Sequence, residues 1–223
     1  LDVWKDANGN IAGVDFGYVV VGKMTSLMAT WPVGNDCVLW GPLGNGFPVP
    51  DVDRLCLVAG GIGVTPFLAV TNEVLGAQKY GNSNRIGSSR AKSVSLCYGA
   101  RSEEYLMCVD RFRVIGAKIH ISTDDGSCGR KGFVTDTLRE LISSDDCPQS
   151  IYCCGPEPMM QAVGEMAAKS HIPCWLSLET PMACGFGICF SCVTRVRMDD
   201  GSTDYRRTCV EGPVFRAEKL CFS

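Results

Sequence analysis

Between Arg54 and Lys169, four short apolar runs alternate with four stretches of helical character. That alternation limits the folds open to the chain more than any other feature. The runs are RLCLVAG (54–60), SVSLCYGA (93–100), AKIHIST (117–123) and SIYCCG (150–155). Helices are expected from Pro66, near Glu103–Phe112, near Thr135–Ile142 and over Glu157–Lys169. Apolar strands alternating with helices imply a parallel sheet covered on both faces. Ligands of such sheets sit at the carboxyl ends of the strands, so chemistry is expected in the loops that follow these runs.

The flanks differ in character. VDFGYVVVG (14–22) and DCVLWGPLG (36–44) are β-rich with glycine and proline punctuation, and NGN at 8–10 marks a turn between strands. Residues 1–50 are therefore expected to be the C-terminal part of a β-barrel. Fifty residues are few for a closed barrel and the sequence opens on Leu1, so an N-terminal portion is expected to be missing. Residues 51–173 read as the parallel-sheet α/β domain and residues 174–223 as a small, cysteine-bearing domain. The predicted class is multi-domain, α/β plus β. The polar stretch NSNRIGSSR (82–90) reads as a loop without chemistry.

Composition excludes several functions. The net charge is −3, and the basic runs RIGSSRAK (85–92) and YRRT (205–208) are short. Nucleic-acid binding needs a basic stripe, so no nucleic-acid partner is expected. No stretch reaches the roughly 18–20 apolar residues that span a bilayer, and no signal peptide is visible, so no membrane partner is expected. Apolar residues make up 46% and charged residues 20%, enough for a sizeable core. Fourteen cysteines would suit a secreted disulfide scaffold only in a short, loop-rich chain. Here Cys56, Cys97 and Cys153 lie inside apolar strands, where a free thiol packs as a small hydrophobe. A reduced cytoplasm is the expected compartment.

Four other cysteines form a pattern. Cys184, Cys189 and Cys192 lie in ACGFGICFSC, and Cys209 follows in YRRTCVEGPVF, giving C-x4-C-x2-C-x16-C. This is the plant-type ferredoxin spacing for a [2Fe–2S] cluster. Gly185 and Gly187 permit the backbone angles of a loop that aims several thiolates inward. The alternatives are a structural zinc, which usually takes paired C-x2–4-C knuckles, and four ordinary thiols.

Three strand-end loops are candidates for a nucleotide site. LVAGGIGVTPF (57–67) reads as a strand, a glycine turn and a helix start, with Thr65 as N-cap and Pro66 as first helical residue. Gly60, Gly61 and Gly63 would let a ligand approach the backbone at the positive helix end. The loop lacks the G-x-G-x-x-G fingerprint, and a tight turn without a ligand explains it equally well. TDDGSCGRKGFVTD (123–136) offers carboxylates for ribose hydroxyls, or for solvent. CCGPEPMM (153–160) places Cys154 at a strand end, near any nicotinamide.

Taken together, GPLGNGFP (41–48), GGIGVTP (60–66), TDDGSCGRKGFVTD, CGPEPMM, SLETPMACGFGICFSC and YRRTCVEGPVF resemble one family. It is the iron–sulfur, FAD-binding electron-transfer subunit of NAD-dependent bacterial dihydroorotate dehydrogenase, within the ferredoxin reductase superfamily. The resemblance covers nearly the whole chain. It implies that NAD(H), FAD and the cluster exchange electrons here. A partner subunit carrying FMN, in a heterotetramer, would perform the orotate chemistry, so no catalytic acid or base is implied in this chain. The flavin segment of the family aligns with GYVVVGKMT, which implies that Gly17, Tyr18 and Val19 line the flavin and that Met24 and Thr25 face its pyrophosphate. Val19 stands where the family often has Arg, and Met24 where it usually has Gly. From the residues alone, Tyr18, Val19 and Thr25 also read as plain barrel packing. Two rival functions are the small subunit of a ferredoxin-dependent NAD(P) transhydrogenase or hydrogenase diaphorase, and a non-catalytic iron–sulfur redox sensor. Cys184 counts against the first, since those transhydrogenase subunits tend to place Asp there. The nicotinamide loops count against the second.

Overall fold

The computed structural model describes residues 2–80 and 91–222. The loop read at 82–90 and most of the basic run at 85–92 lie outside the described residues. The first elements are a hairpin, β1 (Asp2–Lys5) against β2 (Ile11–Asp15), and a short helix, α1 (Lys23–Met28). The Asp6 carboxylate accepts the Asn8 and Asn10 N–H groups and closes the expected NGN turn.

The rest of the predicted barrel does not appear among the described residues. Neither the second half of VDFGYVVVG nor DCVLWGPLG forms a strand. Apolar, β-branched composition favours a strand only where a neighbouring strand supplies ladder partners. The hairpin pairs with itself, in a two-stranded sheet separate from the others.

The central runs behave as their composition demands. They form β3 (Arg54–Gly60), β4 (Ser93–Ala100), β5 (Lys118–Thr123) and β7 (Ser150–Cys154), all parallel. The short β6 (Arg130–Lys131) pairs with β5. On the other side, β8 (Cys174–Ser177) pairs parallel with β7, and β11 (Val214–Arg216) pairs antiparallel with β8. The seven-strand order is β11-β8-β7-β3-β4-β5-β6. The sheet therefore takes strands from beyond residue 173, where a domain boundary was expected. Between β8 and β11 the chain forms a separate hairpin, β9 (Val193–Arg197) and β10 (Thr203–Arg207).

Side-chain alternation explains why β3 is apolar after Arg54. Leu55, Leu57 and Ala59 pack with Phe67, Leu68 and Phe112, from α2 (Thr65–Val74) and α3 (Val109–Ile115). Cys56 and Val58 pack with Leu138 and Val163, from α4 (Val134–Ile142) and α5 (Glu157–Lys169). Both faces of the sheet are covered, as parallel sheets require. Cys56, Cys97 and Cys153 are fully buried, and every cysteine is a free thiol.

Two helices differ from expectation. The stretch 103–112 splits into a 3-10 turn, Glu103–Tyr105, and α3. The buried Tyr98 hydroxyl donates to the Tyr105 carbonyl (3.3 Å) and accepts the Met107 N–H (3.1 Å), so it claims backbone groups that a continuous helix would pair internally. Thr65 is not an N-cap. A 3-10 turn over Gly61–Val64 runs directly into α2, which makes Thr65 its first residue and leaves the end without a side-chain cap.

Candidate functional site

β3 and β7 are neighbours in the sheet, but the chain leaves β3 toward β4 and returns to β7 only after β5 and β6. Open α/β sheets leave a ligand crevice at such a reversal, outside the carboxyl ends of the strands. The glycine turn and the Cys154–Pro156 turn meet there. A Cβ on Gly63 would lie 2.2 Å from the Cys154 carbonyl oxygen, and one on Gly60 would lie 2.7 Å from both Met159 Sδ and Pro156 Cδ. The lack of a side chain at these two glycines lets the two loops pack together. Gly61 is different. It is left-handed, with φ of +54°, and nothing lies within 4 Å of where its Cβ would stand. Thr65 is half-buried on the following helix.

Cys154 ends β7, in register with Ser177 at the end of β8. Burial pushes its thiol up to about 11; a hydrogen bond with Ser177 opposes the shift and the Glu179 carboxylate adds to it. Cys154 is therefore a neutral thiol near pH 7, a small soft group rather than a nucleophile. At the end of β5, Asp125 accepts the N–H and hydroxyl of Ser127, which hold its carboxyl below the usual range, while Asp124 is exposed.

The flavin-segment residues lie together. Gly17, Tyr18 and Val19 are exposed and outside regular structure, on the run that leads to Gly22, the N-cap of α1. Met24 is exposed on the first turn of that helix. The Thr25 hydroxyl accepts the Val21 and Gly22 N–H groups (3.1 and 3.0 Å) and donates to the Gly22 carbonyl, so it is committed to holding the helix start. Tyr18, Val19, Val20 and Val21 form an exposed apolar run.

The four motif cysteines lie near one another: Cys184 is beside Cys189, Cys192 is beside Cys209, and Cys184 also acts on Cys209. The N–H groups of Cys189 and Phe186, with that of Ile188, point at Cys184 and hold it down at about 6. Burial opposes ionisation of Cys192, but the Cys209 N–H, the Cys209 thiol and the Thr208 hydroxyl outweigh it and lower it. Contact with Cys192 pushes Cys209 up. Among the described residues, no three His, Cys, Asp or Glu side chains meet at one metal-sized point. A binuclear cluster takes two thiolates on each iron, whereas tetrahedral zinc takes all four ligands at one centre. The loop is held by Arg207. Its Nη1 donates to the Gly187 carbonyl (2.9 Å), its backbone N–H donates to the Glu211 carboxylate (2.9 Å), and its guanidinium lies 4.9 Å from the centre of the Phe190 ring. Gly185 and Gly187 both have positive φ, and a Cβ on Gly187 would lie 2.7 Å from Val210.

The segment GPLGNGFP joins the two sites. Phe47 stacks on Tyr152 of β7 with centroids 4.8 Å apart, and the Tyr152 hydroxyl donates to the Pro48 carbonyl (2.7 Å). At its other end, the Asn45 side chain donates to the Val214 carbonyl and accepts the Val214 N–H, both at 2.9 Å. Leu43 and Trp40 pack over Gly185. Asn45→Ala is expected to strand the Val214 groups at a cost of about 1–3 kcal/mol for each group left buried without a partner. Chelator-driven bleaching of the visible spectrum should accelerate and the unfolding midpoint should fall; no change in either would show that the strap does not anchor the loop. Neither Asn45 nor Ser177, Arg207 and Thr208 was singled out by sequence reasoning. Each lies inside a quoted motif, but its partner lies in another segment.

Residues 179–221 match the family model described as the iron–sulfur cluster binding domain of dihydroorotate dehydrogenase B, and residues 57–165 match an oxidoreductase NAD-binding domain. A dihydroorotate dehydrogenase B (NAD(+)) electron transfer subunit from Caldanaerobacter subterraneus subsp. tengcongensis is 35% identical over 205 residues, covering 92% of this chain and 74% of that protein. The subunit of the same name from Clostridium perfringens is 35% identical over 220 residues, covering 97% and 78%. Among solved structures, an NADH-dependent reduced ferredoxin–NADP oxidoreductase matches with a TM-score of 0.71 and 29% identity, over 91% of this chain and 66% of that one. The cytochrome b5 reductase domain of Ulva prolifera nitrate reductase shares the fold, with a TM-score of 0.52 and 23% identity over 68% of this chain and 61% of that one. The chain belongs to the family of dihydroorotate dehydrogenase B electron transfer subunits.

Proposed function

We propose that this chain carries electrons between NAD(H) and a separate FMN-containing catalytic subunit that oxidises dihydroorotate to orotate, within a heterotetramer. Cys184, Cys189, Cys192 and Cys209 hold a [2Fe–2S] cluster. Gly61 and Cys154 flank the nicotinamide at the crevice, with Gly60, Gly63 and Thr65 shaping that end of the sheet. Gly17, Tyr18, Val19, Met24 and Thr25 lie along the flavin. The chemistry supplied by the bound groups is two-electron hydride exchange at the flavin and one-electron transfer at the cluster. The protein's own task is positioning. The Cys154 thiol stays neutral beside the reacting ring, and the Gly63 contact keeps the two strand-end loops together. Phe186, Ile188 and Phe190 stand exposed around Cys189, an apolar rim of the kind that partner proteins cover.

What carries this reading is the C-x4-C-x2-C-x16-C spacing of the four cysteines, all within residues 179–221, which match the iron–sulfur cluster binding domain of the family. No helix among the described residues is long and apolar enough to cross a membrane, and the free thiols suit a reducing cytoplasm. The test is an anaerobic visible spectrum of the purified protein with iron, sulfide and flavin quantified together. NADH-driven dye reduction follows, and then orotate formation with the FMN subunit added. About two irons and two sulfides per chain are expected, with activity in both assays; zinc in place of iron would overturn the reading. A ferredoxin-linked NAD(P) oxidoreductase is the second reading, favoured by the structural likeness at a TM-score of 0.71. Electron transfer to ferredoxin but not to the FMN subunit would select it. Absence of NADH-driven dye reduction would select a redox sensor.

A further inference from the structure

The hairpin of β1 and β2 is held to the α/β domain by a polar cluster, and the electron route described above gives that cluster no task. Asp2 is its centre. The Asp2 carboxylate accepts the Tyr80 hydroxyl (2.6 Å) and the Val3 N–H (2.8 Å) on one oxygen, and Arg111 Nη2 donates to the other. Arg111 Nη1 lies 3.8 Å from the Asp15 carboxylate. The Tyr80 hydroxyl in turn accepts the side-chain amide of Asn72 (3.1 Å), which is 8% exposed on α2. Beside this cluster, Gln78 Nε2 donates to the Val3 carbonyl and Lys5 Nζ to the Lys79 carbonyl, both at 3.0 Å.

Two features single out Arg111. The first is the hairpin it meets. Asp2 and Asp15 are register partners across the two strands. Like charges directly opposite one another repel, and a two-stranded hairpin is only marginally stable by itself. Trp4, Ile11 and Val14 are exposed, so apolar burial does little to dock it. Arg111 brings one nitrogen toward each carboxylate and answers that repulsion from the helix side. The second feature is its own helix. Arg111 lies in the first turn of α3, where the helix dipole disfavours a cation, and the neighbouring Asp110 pairs with Arg113 (2.7 Å). The hairpin, not the helix, accounts for an arginine at this position.

β2 ends at Asp15, two residues before Gly17. The latch therefore acts where the chain enters the segment read as lining the flavin. α3 packs on the sheet that carries the nicotinamide crevice, so one arginine ties that segment to the crevice domain.

We propose that Arg111 is a positioning residue for hydride exchange: by clamping Asp2 and Asp15 it sets where residues 17–19 stand relative to the crevice at the ends of β3 and β7. The inference rests on the proposed reading of residues 17–25 as the flavin segment and of that crevice as the nicotinamide site. Misplacing reacting groups by about 1 Å can cost about a hundredfold in rate. A loosened latch is therefore read in turnover rather than in NADH affinity.

The test compares the full chain with Arg111→Glu, with Tyr80→Phe, and with the charge swap Asp2→Lys plus Arg111→Glu. The first measurement is hydrogen–deuterium exchange of the hairpin amides, which needs no bound flavin. Arg111→Glu should speed it by about tenfold, the scale of one hydrogen bond to a charged group. Tyr80→Phe should act in the same direction by less, and the charge swap should restore slow exchange. The second measurement is NADH-driven dye reduction after loading with FAD. In Arg111→Glu, kcat should fall by about tenfold or more, with the KM for NADH and the iron content unchanged, and the charge swap should recover most of the loss. Unchanged exchange in Arg111→Glu would show that there is no latch; should that variant fail to fold, unchanged exchange in Tyr80→Phe would show the same. Faster exchange with unchanged kcat would show a latch without a positioning role. Each of these results overturns the proposal. A wild-type protein that takes up no flavin is a different result: it would remove the flavin reading itself, and the proposal with it.

Discussion

Cys189→Ser is expected to abolish the visible absorbance of the cluster and most of the bound iron. Serine oxygen is a harder donor and its hydroxyl is far less acidic than a thiol, so it replaces a thiolate poorly at an iron–sulfur site. Cys189 is also the partner of Cys184 and the most exposed of the four, so its loss opens one iron to solvent on the side least protected by protein. The damage should stay local, because the motif loop contributes no strand to the seven-stranded sheet. The thermal unfolding of the α/β domain should therefore change little, and NADH-driven dye reduction through the flavin should persist while electron delivery to the partner stops. An unchanged spectrum would sink the ligand assignment.

The second large effect is expected at Gly63. A Cβ there would stand 2.2 Å from the Cys154 carbonyl oxygen and 2.5 Å from its carbon. Both atoms are backbone of Cys154, the last residue of β7, so neither can rotate away. Overpacking of this kind typically costs about 1–3 kcal/mol and sometimes more. For a chain of this size each kcal/mol lowers the unfolding midpoint by roughly 2–4 °C, so Gly63→Ala should melt roughly 2–12 °C below the wild type. NADH-driven dye reduction should fall with it, because the two loops that frame the crevice are forced apart. Gly61→Ala makes the comparison sharp. No atom obstructs its Cβ, so only the cost of a left-handed residue applies, roughly 1–2 kcal/mol. A Gly61→Ala protein that melts lower than Gly63→Ala would show that the loop contact is not what Gly63 protects.

Much of the scaffold was legible in the chain itself. β3, β4, β5 and β7 fall on the four apolar runs, and α5 spans Glu157–Lys169 as expected. Period and burial settle these elements locally, since a strand covered on both faces reads as a mainly apolar run. The cysteine motif was legible for a similar reason: three of its four members lie within nine residues, from Cys184 to Cys192, so their spacing alone states the geometry. The flavin segment was less legible. A β-rich composition says that strands are favoured, but not which ladder partners are present, and among the described residues only β1 and β2 find one another.

What the sequence by itself determined, then, is the parallel sheet and its covering helices, because each is written in spacing and alternation over short distances. The tertiary structure alone decided what individual residues do within that frame. Gly60 and Gly63 serve a neighbouring loop some ninety residues away, while Gly61 stays open. Tyr98 breaks a helix that its own periodicity would continue. Asn45 reaches Val214, and Thr180 reaches Thr208. These contacts join segments far apart in the chain, and a hydrogen bond or a steric limit depends on where the partner is placed, which no local pattern records.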